Sequence, residues 1–562
     1  MKHSKKVWLF AAAMTLALSS ALGQGRRQHS RPNIVIILAD DMGFSDPGCY
    51  GGEIQTPNIN WLASNGIRFT EFYNTSRCCP SRASLLTGLY NQQAGIGDMT
   101  TDQHEPGYRG HLTDNTVTLA EVLKAAGYQT AMSGKWHVSN TPVQPTREAQ
   151  LKWLDHQAYY PTFSPLDQYP VNRGFDRYFG TIWGVVDYFD PFSLVDGTTP
   201  IRTVPKNYYH TDAINDTAAK FIREMSRSDK PFFLYVAENA PHWPLMAKPE
   251  VIKKYEDTYK VGWEKIREAR YQRMVKMGII DPRTAPLSPR WHEGLKWADN
   301  ADSAWDAHAM AVHAAMVDIM DQGIGRIIKA LKETGKLDNT LVLFLSDNGA
   351  SPEICANFKP GFDRPGETRD GRQIVYADHK QVPAGVETTY SSIGPRWANV
   401  ANTPWRFWKA ESFEGGIHTP LIAFWPDGIT LPKGSFTSQM GHVMDFMPTL
   451  IHLAHAQYPT RFKGHEISPM EGTDLSPIFS GGNIKAHTAL YNDHAGGRYV
   501  RYEGWKLVSA DRDTTWHLYH ITKDQTELHD LSAEYPQRVH MMDSMWRRWA
   551  VRVHVFPRPH KK

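Results

Sequence analysis

The segment Asn33–Asp41, NIVIILADD, decides the fold class of this 562-residue chain. It is a continuous apolar run that ends in two carboxylates. A strand buried on both faces of a parallel sheet shows such a run, whereas a half-exposed strand alternates apolar and polar residues. The segment therefore predicts a buried strand of a parallel sheet.

Later segments repeat an order of amphipathic helix, apolar strand and polar loop. They are TLAEVLKAAGYQTAMSGKWH (118–137), TDAINDTAAKFIREMS (211–226) with PFFLYVAENAPHWP (231–244), and AHAMAVHAAMVDIMDQGIGRIIKALKETG (307–335) with NTLVLFLSDNG (339–349). Helices that alternate with strands are typical of a doubly wound sheet. We predict an α/β fold with a large, mostly parallel sheet.

Polar residues follow the carboxyl ends of these separate strands. Open α/β sheets place their ligand sites at that edge, so distant segments of the chain can converge there. The residues predicted to meet are Asp40, Asp41, Lys135, His137, His242, Asp347 and Asn348.

The overall composition is that of an ordinary globular protein. Charged residues make up 22% of the chain, and the formal net charge is +3. This near-balance gives no case for nucleic acid as a partner, since nothing suggests a concentrated basic face. The 18 tryptophans fit either core packing or platforms for stacking sugars, and sequence does not separate the two.

The first 23 residues read as a secretory signal peptide. Lysines are followed by an apolar run from Val7 to Leu18 and then by small residues up to Gly23. A membrane anchor is the alternative, but the run is shorter than the roughly 20 residues that span a bilayer. We expect an exported protein, periplasmic or secreted, without stable membrane insertion.

The mature chain divides into two predicted domains. Residues 31–482 form the catalytic domain, and residues 483–562 form a smaller α+β unit. The second unit is predicted from the strand-like runs GRYVRYEGWKLVSA and TWHLYHI and the amphipathic PQRVHMMDSMWRRWAVRV. The alternating charges of KKYEDTYKVGWEKIREARYQRMVKMG (253–278) predict an exposed helix inserted into the first domain.

Four cysteines occur, at positions 49, 78, 79 and 355. They do not form a disulfide framework, although a bridge between Cys49 and Cys355 is open at this stage. Their spacing is not that of a zinc site, because Cys78 and Cys79 lack a second Cys/His pair. Their scarcity favours a reactive role for one of them.

Cys78 opens the motif CCPSRASLLTG, which resembles the Cys-x-Pro-Ser-Arg signature of type I sulfatases. The chain is similar to the arylsulfatase branch of these formylglycine-dependent enzymes, in the alkaline phosphatase superfamily, across nearly its whole mature length. The other matching segments are NIVIILADDMGFSD, TAMSGKWHVS, NAPHWP, FLSDNGA, NTPWRFWKAESFEGGIHTP and YVRYEGWKLV with LYHI. The resemblance implies an alkaline phosphatase-like sheet sandwiched by helices.

A metal site is predicted from two pairs of oxygen ligands. Carboxylate and amide oxygens suit a hard cation such as Ca²⁺, whereas zinc more often recruits His or Cys. An Asp-Asp pair alone would fit a capping turn, but a second Asp-Asn pair follows another buried strand. The resemblance implies calcium, and the predicted metal set is Asp40, Asp41, Asp347, Asn348 and Cys78.

The resemblance also implies that a maturase converts Cys78 to 3-oxoalanine (formylglycine). One hydroxyl of the hydrated aldehyde attacks sulfur and expels the alcohol. Deprotonation of the second hydroxyl then releases sulfate and restores the aldehyde. This chemistry requires a base and an acid nearby. The implied catalytic residues are Cys78, Arg82, Lys135, His137 as the base for sulfate release, and His242 with Lys409 at the leaving alcohol.

The predicted activity is hydrolysis of aryl or carbohydrate sulfates, with a small-molecule or glycan sulfate ester as substrate. One alternative keeps the same site: phosphonate monoester and phosphodiester hydrolases of this superfamily use formylglycine and calcium too. A second alternative, a non-catalytic carbohydrate-binding protein, would be marked by a lost ligand or a lost Cys78, and neither loss is present. A thiol redox protein would need a Cys-x-x-Cys motif, which is absent.

Overall fold

The computed structural model of the protein describes residues 31–156, 162–290, 295–379, 381–510 and 513–559. The predicted signal peptide, 1–23, lies outside these residues. Within the described part of the chain, no helix combines the length and the apolar character needed to cross a membrane.

Twenty strands and twelve α-helices make up the described structure. The strands are β1 (Asn33–Ala39), β2 (Ile67–Phe69), β3 (Phe72–Tyr73), β4 (Gln129–Gly134), β5 (Arg177–Thr181), β6 (Leu194–Asp196), β7 (Thr199–Pro200), β8 (Phe232–Ala237), β9 (Thr340–Ser346), β10 (Val375–Tyr376), β11 (Thr389–Tyr390), β12 (Leu421–Phe424), β13 (Ser435–Thr437), β14 (Gly441–His442), β15 (Arg461–Phe462), β16 (His465–Glu466), β17 (Ala489–His494), β18 (Gly497–Tyr502), β19 (Trp505–Ser509) and β20 (His517–Tyr519). The helices are Pro57–Asn65, Cys78–Thr87, Leu119–Ala125, Arg147–His156, His210–Met225, Pro249–Ile252, Trp263–Met277, Ser303–Glu333, Gly394–Ala401, Glu414–Ile417, Phe446–Ala454 and Pro536–Arg552.

Ten strands form the main sheet, in the order β13-β2-β12-β9-β1-β8-β4-β5-β6-β7. The neighbours from β9 to β5 run parallel, and antiparallel strands flank them on both sides. All seven residues of β1 are buried, as expected for a strand covered on both faces. The predicted mostly parallel sheet is confirmed.

Helices cover both faces of this sheet. Val35 and Ile37 of β1 face one apolar core, which also contains residues of the helices His210–Met225 and Ser303–Glu333. Ile34 and Ile36 face a second core, to which the helices Cys78–Thr87, Leu119–Ala125 and Phe446–Ala454 contribute. The predicted sandwich of helices is therefore confirmed.

Strand register aligns the residues that come after the strands. Ala39 of β1 lies opposite Ser346 of β9, so the residues that follow both strands emerge side by side. Ala237 of β8 lies opposite Gly134 of β4, which brings the end of β4 to the same edge. This edge carries the polar residues singled out in the sequence.

A four-stranded antiparallel sheet, β17-β18-β19-β20, forms the C-terminal part. The helix Pro536–Arg552 packs on it and buries Trp546 and Trp549 against Leu490 and Val500. The smaller α+β unit is confirmed as a fold element, whereas the division at residues 482 and 483 stays a prediction.

The expectation of an exposed inserted helix is wrong for one face of the helix Trp263–Met277. Arg270 is fully buried and pairs with Asp46 (2.7 Å) and Glu53 (2.7 Å). Met274 is also buried. It packs so closely on Gly51 that a Cβ there would lie 2.6 Å from Met274 Cγ. The charge pattern misled because the acids that neutralise Arg270 lie more than 200 residues away in sequence.

Candidate active site

Four oxygen-bearing residues meet beyond the ends of β1 and β9. Asp40, Asp41, Asp347 and Asn348 are all buried. Asp41 adopts a left-handed backbone conformation (φ 63°), and its N–H donates to Asp347 Oδ1 over 3.3 Å. Asn348 Nδ2 donates to Asp41 Oδ1 over 2.6 Å. The two predicted ligand pairs therefore form one cluster.

Two oxygens of this cluster have no hydrogen-bond partner among the described residues, namely Asp40 Oδ1 and Asn348 Oδ1. An unsatisfied buried oxygen calls for a specific explanation, and a bound ion is one. Burial, followed by the charge of Asp347, raises the pKa of Asp40 to about 7. Unsatisfied oxygens and crowded carboxylates fit a hard cation such as Ca²⁺.

Cationic side chains pair with each carboxylate of the cluster. Lys135 Nζ contacts Asp40 Oδ2, and Arg82 contacts Asp347 Oδ2 over 2.9 Å. Arg82 also donates to the Lys135 carbonyl over 3.1 Å. These buried cations neutralise the two acids, which would otherwise be costly to bury as unpaired charges.

Cys78 begins the helix Cys78–Thr87 and is 1% exposed. A hydrogen bond from Cys79 lowers the pKa of Cys78 against the opposing effect of burial, and Lys135 and His137 lower it further. Burial raises the pKa of Cys79. Cys78, Cys79 and His137 each offer one ligand atom within 4.8 Å of the others, so the unmodified thiols could bind a soft metal ion. All four cysteines are free.

The imidazole of His137 is held beside Cys78 by a glycine that the sequence analysis did not single out. A Cβ on Gly184 would lie 2.2 Å from His137 Cε1 and 2.5 Å from Nε2. Only a residue without a side chain leaves room for the ring. Burial lowers the pKa of His137 to about 4, so its imidazole is neutral at pH 7.

Comparison with known proteins identifies the family. The family model described as Sulfatase matches residues 32–456. The chain belongs to the sulfatase family. It is a sulfuric ester hydrolase, and the predicted resemblance is confirmed.

Curated relatives cover this sulfatase almost end to end. An uncharacterized sulfatase of Schizosaccharomyces pombe is 31% identical over 92% of this chain and 93% of its own length. An arylsulfatase of Klebsiella aerogenes is 33% identical over 83% of this chain and 96% of its own length. A second family model, described as N-sulphoglucosamine sulphohydrolase, C-terminal, matches residues 405–551.

Solved structures share the fold. A protein in complex with its substrate D-glucosamine-2-N,6-O-disulfate has a TM-score of 0.57 and 21% identity, covering 95% of this chain and all of that one. A phosphonate monoester hydrolase of Agrobacterium radiobacter has a TM-score of 0.52 and 20% identity, covering 93% of this chain and 96% of that one. The fold is thus common to sulfatases and to the rival class.

His242 and Lys409 of the sulfatase lie together over Asp41. Lys409 Nζ is 2.7 Å from Asp41 Oδ2 and 3.2 Å from His242 Nε2. His242 Nδ1 is 2.5 Å from the Trp243 carbonyl. Since a carbonyl only accepts, Nδ1 carries a hydrogen. Nε2 is therefore the nitrogen that faces Lys409 and Asp41.

Glu353 connects this pair to the residue that precedes the helix Cys78–Thr87, and the sequence analysis missed it. Its carboxylate lies 3.4 Å from Lys409 Nζ and 3.1 Å from Arg77, the residue before Cys78. Trp243 Nε1 donates to it over 2.5 Å. Burial opposes ionisation, but Lys409 and Arg77 outweigh it and hold the pKa of Glu353 below its usual value.

The C-terminal sheet supports the loop that carries Lys409. Lys506 Nζ is buried between Glu414 Oε1 (2.8 Å) and Glu527 Oε1 (2.7 Å). Glu527 also accepts the backbone N–H of Glu414 over 2.9 Å. Asn492 donates to Ser412 over 3.1 Å. The C-terminal unit therefore takes part in building the site.

All the residues predicted for the site are buried at the carboxyl edge of the sheet. Direct contacts connect the four oxygen ligands with Arg82, Lys135, His242 and Lys409, and Cys78 with His137 lies beside Lys135. Their individual roles stay predictions. The structure adds Glu353 and Gly184 to the predicted site, and no local sequence pattern indicates either residue.

Proposed function

We propose that this sulfatase hydrolyses sulfate esters of aryl or carbohydrate alcohols, using formylglycine made from Cys78 and a bound calcium ion. The observation that carries the proposal is the buried cluster itself. A cysteine beside a neutral imidazole lies near a cluster of carboxylate and amide oxygens, and one oxygen of each kind lacks a partner. Buried cations contact the carboxylates of this cluster. An anionic ester suits this arrangement, since its charge is spread over peripheral oxygens in the transition state.

The ion would be held by Asp40, Asp41, Asp347 and Asn348, with the modified Cys78 beside it. When present, calcium supplies positive charge to the sulfate oxygens, and the hydrated aldehyde supplies an oxygen nucleophile. Arg82 and Lys135 fix the orientation of two of the carboxylates that would hold the ion, through contacts with Asp347 and Asp40 respectively.

Proton transfers are assigned to the two histidines. His242 donates from Nε2 to the leaving alcohol, because its Nδ1 is engaged by the Trp243 carbonyl. Burial, followed by Lys409, lowers the pKa of His242, and the negative charge of a bound ester would oppose that shift. His137 is neutral at pH 7 and therefore able to accept the proton whose loss releases sulfate.

The predictions about export, modification of Cys78 and domain boundaries belong to the same proposal. The chain is exported by its first 23 residues to the periplasm or the cell exterior, and a maturase of the host oxidises Cys78. The catalytic domain spans 31–482 and the C-terminal unit 483–562.

The first experiment tests the substrate class. Protein co-produced with a maturase is given 4-nitrophenyl sulfate and a 4-nitrophenyl phosphonate ester, and mass spectrometry of the peptide around residue 78 measures conversion to the aldehyde. Cys78→Ala is the blank, and Cys79→Ala is the matched control, since Cys79 is buried beside the nucleophile but has no assigned step.

We expect turnover that depends on Cys78, survives in Cys79→Ala and prefers the sulfate ester. A preference for the phosphonate ester would keep the site and replace the substrate class by that of phosphonate monoester or phosphodiester hydrolases. Full turnover by Cys78→Ala would remove the proposed nucleophile.

A further inference from the structure

Two cysteines and a methionine bring their sulfur atoms together at the start of the helix Cys78–Thr87. The Sγ atoms of Cys78 and Cys79 and a ring nitrogen of His137 all lie within 4.8 Å of one another. Met99 adds a thioether, because the Cys79 thiol donates to Met99 Sδ over 3.9 Å. Two sulfurs that bind one ion at about 2.3 Å each are about 4 Å apart. Small movements therefore let all four side chains reach a single ion.

The protein encloses most of this group. Cys78, Cys79 and His137 are buried, and Met99 is partly exposed. Among the described residues, His137 Nδ1 has no hydrogen-bond partner. An unsatisfied buried nitrogen calls for a specific explanation, and a bound ion is one. Met99 is the ligand through which an ion would enter from solvent.

The donor atoms of this group are soft. Two thiols, a thioether and an imidazole contain no oxygen, so they do not suit a hard cation such as Ca²⁺. Both cysteines stand in the first turn of a helix, where the aligned N–H groups favour the thiolate, the form that binds metals. The oxygen ligands belong to a separate group, in which Asp40 and Asp41 lie with His242.

The thioether decides between the soft ions. Zinc sites use cysteine, histidine and carboxylate ligands. Cu(I) accepts thioether sulfur together with thiolate and imidazole. The sulfur of Met99, close to that of Cys79, therefore favours Cu(I) over Zn(II).

We propose that the chain with an unmodified Cys78 binds one Cu(I) ion through Cys78, Cys79, His137 and Met99. Each thiol that binds the ion releases its proton to solvent. The site does not depend on the proposed sulfate-ester hydrolysis, since it belongs to the chain before any modification. Conversion of Cys78 to an aldehyde would remove one of the sulfurs. The site also gives Cys79 and Met99 a role, whereas the proposed reaction uses neither.

The test uses the full chain produced without a maturase, freed of metal and kept reduced under nitrogen. Cu(I) is supplied as its coloured bicinchoninate complex, and loss of the colour measures transfer of the ion to the protein. The variants are Cys78→Ala, Cys79→Ala and Met99→Leu, of which the last removes the sulfur and keeps the volume. Cys355→Ala is the matched control. Cys355 is also buried and free, but in the described part of the chain it belongs to no group of three ligands.

We expect wild type and Cys355→Ala to take up one Cu(I) per chain with the same affinity. Loss of a side chain that only supports a metal ligand lowers metal affinity by about 10- to 100-fold. Loss of a thiolate that binds the ion itself, in Cys78→Ala or Cys79→Ala, should therefore cost at least about 100-fold, and Met99→Leu about 10-fold. X-ray absorption of the loaded wild type should show sulfur and nitrogen neighbours around the ion.

The inference is overturned if wild type takes no Cu(I) from the bicinchoninate complex, or if either cysteine variant binds as tightly as wild type. Tighter binding of Zn(II) than of Cu(I), or an unchanged affinity in Met99→Leu, would overturn it as well, because the thioether would then have no part in the site. Thermal melting shows whether each variant folds. If a cysteine variant does not fold, Met99→Leu and the X-ray absorption of wild type decide. None of these readouts uses sulfate release, so failure of the proposed function is a separate result.

Discussion

Replacing Gly184 with alanine tests the role of His137 without altering any charge in the site. The backbone of Gly184 is outside the left-handed region, so alanine fits the chain itself. Its Cβ would nevertheless lie 2.2 Å from His137 Cε1, whereas ordinary contacts begin at 3.4 Å. The imidazole must therefore retreat by about 1.2 Å, toward or away from Cys78.

The expected size of the effect follows from this displacement. A misplacement of about 1 Å of a catalytic group lowers a rate by about 100-fold. Overpacking of this kind costs about 1–3 kcal/mol of folding stability. Because His137 is assigned to sulfate release and not to expulsion of the alcohol, the second half of the reaction should slow more than the first.

Stopped-flow measurement of 4-nitrophenol from 4-nitrophenyl sulfate resolves the two halves. We expect Gly184→Ala to give a burst of about one alcohol per active site, followed by turnover about 100-fold slower than wild type. Gly197→Ala is the matched control. Gly197 lies at a left-handed turn of the neighbouring hairpin with no atom near its Cβ position, so alanine there strains the backbone without touching the site.

The assignment of His137 fails if Gly184→Ala carries the aldehyde, turns over at the wild-type rate and shows no burst. It also fails if both halves slow equally, because the displaced ring would then act before the alcohol leaves. Equal losses in Gly197→Ala would trace the effect to reduced stability.

Three further outcomes are expected. Calcium at a hundred times its Kd should raise the folding stability of wild type by about 2.7 kcal/mol, and Asp347→Asn should lose this gain. Calorimetry of both proteins in calcium and in EDTA measures it. A gain as large in Asp347→Asn as in wild type would contradict the ligand assignment. Glu353→Gln should lower kcat/KM for unactivated esters by about 10- to 100-fold. It should also move the basic limb of the pH profile to lower pH, since the Glu353 charge favours protonated His242; an unmoved limb would limit Glu353 to a structural role. Burial raises the pKa of Glu238 to about 8, so its contribution to stability is complete below its unfolded pKa of about 4.5 and is lost as pH rises through about 8. Glu238→Gln should escape this loss, which is up to about 3 kcal/mol between pH 6 and 9, and parallel melting curves across that range would refute the shift.

The sheet and the acidic ligands could be predicted because their signals are local. A continuous apolar run such as Asn33–Ala39 has few alternatives to a buried strand, and the carboxylates follow it directly. Parallel strands bring their carboxyl ends to one edge, so convergence of Asp40 with Asp347 follows from topology. Lys409 carries no such signal and was named only by family resemblance.

Contacts across long stretches of sequence explain what was missed. The importance of Gly184 follows from its contact with the ring of His137, which lies 47 residues earlier in the sequence. The importance of Glu353 follows from its ion pairs with Arg77 and Lys409, which lie in different segments of the chain. The burial of Arg270 depends on Asp46 and Glu53 from the far end of the chain. Residue type alone indicates solvent exposure for all these charged groups.

The support of the Lys409 loop by Lys506 and Glu527 has a consequence for the order of events during synthesis. Cys78 leaves the ribosome roughly 450 residues before Glu527. At about 5–20 residues per second this interval lasts ~20–90 s. During that time the loop that carries Lys409 has no C-terminal sheet to hold it. The maturase proposed above would have this interval to reach a side chain that is 1% exposed in the finished protein, so slower translation is expected to raise the fraction of chains that carry the aldehyde.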